Sequence, residues 1–143
     1  MDEAALVAGI KRVLRNLDRE CGPVALLMLV AANYPGLGWQ AHVSAKGLDE
    51  LGEITAICRF GEIFWETLKP QTRISLERVY AHKTDSLFVR AVHGTFGARR
   101  SAGDPVSGRI LDLEIPLAII LKSQKIAVRK RSAQRAVRSV ARR

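Results

Sequence analysis

Pro23-Val24-Ala25-Leu26-Leu27-Met28-Leu29-Val30-Ala31-Ala32-Asn33-Tyr34-Pro35-Gly36-Leu37-Gly38-Trp39-Gln40-Ala41-His42-Val43-Ser44-Ala45-Lys46 carries two different β signatures joined by a turn. Val24–Ala32 is apolar at every position, which suits a strand buried on both faces; its Ala, Leu and Met content leaves a helix open as the alternative. Asn33 to Gly38 is turn chemistry, because proline sets one φ and the glycines permit positive ones. Trp39, Ala41, Val43 and Ala45 then alternate with Gln40, His42, Ser44 and Lys46, the period of a half-buried strand. Strand, turn and strand predict an antiparallel hairpin.

Working outward, residues 2–20 place Leu6, Ile10, Val13, Leu14 and Leu17 on one stripe of a 3.6-residue period, so a helix is expected. Asp2 and Glu3 favour its positive end, Arg15 and Arg19 its negative end, and Gly22-Pro23 stops it. Residues 49–68 space Leu51, Ile54, Cys58, Gly61, Trp65 and Leu68 at threes and fours. A helix is expected there, with a break possible near Gly61 and an end at Pro70. A strand follows over 73–82, then a short helix capped by Thr84 or Asp85 and carrying Leu87, Phe88, Ala91 and Val92. Gly94–Gly108 reads as a loop. Ile110–Ile115 and Leu117–Leu121 read as two strands, or as one bent at Pro116. The order α-β-β-α-β-α-β-β is that of an α+β domain with a mixed, largely antiparallel sheet and helices packed on it. Residues 1–124 form the expected single domain, followed by a basic tail over 125–143, helical or disordered.

The 143 residues carry a net charge of +9, and its placement is more informative than its size. All fourteen acids lie between Asp2 and Glu114, where they meet fourteen Lys and Arg. The remaining nine cations, from Lys122 to Arg143, occupy the last 22 residues without one acid. The longest uncharged apolar run is nine residues, against about 20 for a membrane-spanning helix. The acidic opening Met1-Asp2-Glu3 is unlike a secretory signal, so a cytoplasmic protein is expected, with Cys21 and Cys58 as reduced, buried thiols.

Within the tail, Arg129, Lys130, Arg131, Arg135 and Arg138 are the candidate polyanion contacts. From Ile126, residues Ala133, Ala136, Val137, Val140 and Ala141 offer a thin apolar stripe between them. Nucleic acid is the first candidate ligand, because cations that neutralise phosphates release counterions without needing a shaped pocket. An acidic protein surface is the second. The segment His93–Ser101 is a candidate anion loop: Gly94 and Gly97 would let backbone approach a phosphate that Arg99 and Arg100 could clamp. It lacks the spacing of a phosphate-binding P-loop.

His42, His82 and His93 with Cys21 and Cys58 show no ligand spacing, so neither a metal nor a cofactor is assigned. Ser44 or Cys58 with a histidine and Asp49, Asp85 or Asp104 has no local catalytic signature, and no catalytic residue is assigned. A helix-turn-helix within 49–68 is rejected, because Glu62 and Glu66 would face the phosphates. Among the aromatics, Trp39, Phe60, Phe64, Trp65, Phe88 and Phe96 are expected in the core, and Tyr34 at the surface.

The sequence is therefore read as a binding module that contacts nucleic acid or another polyanion through its tail. Two alternatives stand beside it. One is a small enzyme or phosphate-ligand binder using loop 94–101 with His82 or His93. The other is a homo-oligomeric structural subunit that pairs through strand edges or the stretch around Phe60–Trp65.

Overall fold

The first helix, α1 (Glu3–Cys21), turns Leu6, Ile10, Val13 and Leu17 onto one wholly buried face. Gly22 ends it with a φ of 75°, a left-handed conformation that glycine takes without strain. This computed structural model describes residues 3–31, 38–99 and 105–126. After Gly22 come β1 (Val24–Ala31) and β2 (Trp39–Ala45), a single 3-10 turn over Lys46–Leu48, and α2 (Glu53–Thr67). The one-turn α3 (Pro70–Arg73), β3 (Leu76–Ala81), α4 (Leu87–Phe96), β4 (Val106–Ile110) and β5 (Leu113–Ser123) complete the order.

The five strands lie in the order β3-β2-β1-β5-β4. Only the β2–β3 pairing is parallel; β1–β2, β1–β5 and β4–β5 are antiparallel. The expected α+β architecture is therefore the observed one, and Val24–Ala31 pairs with Trp39–Ala45 as the hairpin reading requires. β1 is apolar throughout because it is the middle strand with both faces covered. On one face Leu27 and Leu29 join Ala41, Val43, Ile119 and Leu121 beneath α1 and α2. On the other, Leu26, Met28 and Val30 join Ile115, Ala118 and Ile120 beneath Val89 and Val92 of α4. Each large apolar side chain so buried contributes about 1.5–3 kcal/mol.

Several boundaries and faces differ from expectation. β2 is not half exposed: His42 and Ser44, on its polar side, are buried as well. α2 starts at Glu53 and runs unbroken through Gly61. Its buried residues are Ala56, Phe60, Ile63 and Phe64. The stripe through Ile54, Cys58 and Trp65 faces outward, so Cys58 is exposed and only Cys21 is a buried thiol. The cap of α4 is Ser86, whose hydroxyl accepts from the Val89 N–H, while Thr84 bonds elsewhere. Gly94 belongs to α4, not to a loop, and the last two strands divide at Leu111-Asp112. Pro116 lies within β5, opposite an irregularity in the β4 pairing that spares it a ladder hydrogen bond. Among the described residues no helix is long and apolar enough to cross a membrane.

Candidate functional site

The middle of α4 and the chain just past β5 border a cleft of about 230 Å³. Arg90, His93 and Gly94 line it from α4, Gln124 and Lys125 from the chain just past β5, and Thr84 from the approach to the helix. Spacings of three and four set Arg90, His93 and Gly94 on one helical face. A Cβ at Gly94 would meet nothing within 4 Å, so this wall is open ground. The far wall is held firmly. Gln124 donates from its backbone N–H to the Ala25 carbonyl at 3.0 Å and from its side-chain amide to the Val24 carbonyl at 2.9 Å. Ile126 packs, partly buried, against the core beneath α4, and the other residues of the expected stripe, Ala133, Ala136, Val137, Val140 and Ala141, lie outside the described residues. Two cations, Arg90 and Lys125, thus line the same cleft. Among the described residues the buried His93 Nδ1 has no hydrogen-bond partner.

A second cluster lies beyond Thr84. The parallel register sets His42 beside Tyr80, and the His82 N–H donates to the Val43 carbonyl at 2.9 Å. Two imidazoles forty residues apart are thereby brought to 2.9 Å, His42 Nδ1 to His82 Nε2. Tyr80 and Phe88 stack on His42, with ring centroids at 4.8 and 5.0 Å, and Phe88 also stacks on His82 at 4.3 Å. Burial pushes both imidazoles down to about 4, and the neighbouring His82 adds to the effect on His42. Near neutral pH both are uncharged, one donating to the other, as part of the packing. Asp49, also buried, accepts hydrogen bonds from the Thr84 N–H at 2.8 Å and from the Thr84 hydroxyl. That bond ties the turn before α2 to the segment leading into α4.

Of the residues singled out from sequence, Gly94 lines the cleft, while Gly97 caps α4 at a φ of 78° with its N–H on the His93 carbonyl. Arg99 pairs through its backbone with Ser123 and is absent from the cleft lining. Arg100 and the tail residues Arg129, Lys130, Arg131, Arg135 and Arg138 lie outside the described residues, as do Tyr34 and Asp104. Among the described residues the buried Ser44 hydroxyl has no partner, Cys58 lies on the outer face of α2, and Asp49 is engaged by Thr84. Among the described residues no group of three or more His, Cys, Asp or Glu is placed to hold a metal ion.

The sequence reading missed Arg90 and the His42–His82 pair. The spacing of Arg90 from His93 and Gly94 was a usable signal for the first. Nothing local signals the second, because it depends on strand register. Compared with known protein families, with curated proteins and with solved structures, the chain matches none.

Proposed function

We propose that this chain is a polyanion-binding module of the cytoplasm, with nucleic acid as its first ligand. A neutral α+β body carries the cationic terminal segment, and the cleft between α4 and the end of β5 supplies the adjoining contacts. One observation carries the reading: nine Lys and Arg are massed in the last 22 residues with no acid among them, while the rest of the chain is balanced. Supporting it, Lys125, one of these nine cations, shares the cleft with Arg90 of α4. Arg129, Lys130, Arg131, Arg135 and Arg138 supply most of the affinity in this reading. Phosphates spaced every few ångströms along a strand match such a run of charge without base-specific contacts.

The test is a fluorescence-polarisation titration of labelled duplex DNA and single-stranded RNA. It compares the full chain with a full-length variant in which those five residues are glutamine. With about five phosphate contacts, raising salt from about 50 to 200 mM weakens binding by roughly 500-fold, and the variant loses most of that dependence. Arg90→Ala with Lys125→Ala weakens binding further if the cleft takes part. Equal, weak binding by native and glutamine chains, with the same salt slope, removes the proposal. Tight binding to an acidic protein such as a polyglutamate probe, with none to nucleic acid, moves the ligand class to acidic protein surfaces.

A further inference from the structure

α2 carries two apolar faces, and the body of the protein uses one. At about 100° per residue, Ile54, Cys58, Gly61 and Trp65 fall within an arc of roughly 60°, turned away from the buried Ala56, Phe60, Ile63 and Phe64. Ile54 is 79% exposed and Trp65 65% exposed. A Cβ on Gly61 would meet nothing within 4 Å. The Arg73 guanidinium lies 4.3 Å from the Trp65 ring centroid, covering one face of the indole and leaving the remainder open. Scattered exposed apolar residues are ordinary; Ile54, Cys58 and Trp65 in register on one helix, with the bare backbone of Gly61 between them, form a patch suited to a partner.

We propose that the occupant of this stripe is α2 of a second copy of the chain, packed antiparallel about a twofold axis. The stripe is self-complementary. Ile54 and Trp65 are centred on the same point of the helix as Cys58 and Gly61, midway between Arg59 and Phe60. An antiparallel copy therefore sets Ile54 against Trp65 of its partner at both ends, and Cys58 against Gly61 at the crossing. Having no side chain, Gly61 admits the close approach of a second backbone there.

Charge fits the same arrangement. Arg59 and Glu62 lie on one flank, already joined at 3.3 Å, with Arg59 also on Glu20 at 2.9 Å. The twofold brings Glu62 of one copy beside Arg59 of the other, so each arginine gains a third carboxylate. The helix dipoles oppose, and the acidic Glu50–Glu53 end of one helix meets the Lys69–Arg73 end of its neighbour. A contact founded on one 15-residue helix is smaller than the roughly 800 Å² per partner of a standard interface, so a dissociation constant in the micromolar range, about 1–100 µM, is expected.

Cys58 reports the geometry directly. With helices about 8 Å apart and the axis between Cys58 and Gly61, the two Cys58 Cα atoms come to about 6 Å, inside the disulfide range. The experiment combines sedimentation of the full chain over roughly 1–200 µM with mild oxidation. The native mass is expected to rise with concentration from one chain toward two, and oxidation to give a Cys58-linked dimer that Cys58→Ser abolishes. Trp65→Glu and Gly61→Leu alter surface that is open in the single chain, so both fold, as circular dichroism will check. Each raises the dissociation constant at least about tenfold and suppresses the crosslink. A mass of one chain at every concentration overturns the proposal; if Cys58 is then also unreactive toward a thiol reagent, other residues of the same chain cover the stripe. A dimer indifferent to both substitutions, or one that yields no Cys58 crosslink, places the interface elsewhere and overturns it equally.

Discussion

Acidification from about pH 7.5 to 5 tests the His42–His82 pair. Both imidazoles are held near 4 in the folded chain, against an ordinary value of 6.5, because burial disfavours the charged ring. In the unfolded chain both titrate near their ordinary value, so between the two values the unfolded state binds more protons. Stability is therefore complete above about pH 6.5 and declines as pH falls toward 4, below which both states are protonated. A shift of this size is worth about 3 kcal/mol per histidine in all, of which about 2 kcal/mol is lost by pH 5. Two such groups remove about 4 kcal/mol, a large share of the 5–15 kcal/mol typical of a domain. Carboxylates do not account for this loss, since their ordinary values lie near 4 and their main effect comes lower.

The assay is urea unfolding followed by circular dichroism at half-unit steps of pH, in the native chain and in His42→Leu/His82→Leu. His93 is retained in both. The double variant replaces the paired rings with apolar groups and is expected to lose most of the acid slope between about pH 6.5 and 5. A native stability that is flat across that interval, or the same slope in both proteins, would refute the reasoning.

The two faces of α2 can be separated by truncation. Phe60→Ala, at a fully buried site, should cost about 3–5 kcal/mol in chemical denaturation, and Ile54→Ala less than about 0.5 kcal/mol. The reverse order would mean that the helix is turned the other way. For α4, Ser86→Ala removes the hydroxyl that accepts from the Val89 N–H at 3.2 Å. It should lower stability by about 1 kcal/mol in a thermal melt, while Thr84→Ser, which keeps its hydroxyl on Asp49, should cost much less; equal effects would contradict the assigned cap.

Local pattern was enough for α1, β1, β2 and the helical character of α2 and α4, while α3 and most of β4 fell in stretches read as a strand start and a loop. The stripe of α1, the unbroken apolar run of β1 and the alternation in β2 each state their own period, because a helix or strand repeats its buried face at a fixed interval. The segregation of cations toward the carboxyl end is likewise a property of the chain alone. Tertiary packing decided which of two apolar stripes on α2 enters the core. Ile54-Cys58-Gly61-Trp65 and Ala56-Phe60-Ile63-Phe64 both satisfy the helical period, and only the second is buried in the core. It also decided the environment of His42, polar by its place in β2 yet covered by Phe88 and held against His82 by the register with β3. The physical reason is common to both: periodicity specifies a face, but burial of that face requires a neighbour, and the neighbour comes from a distant part of the chain.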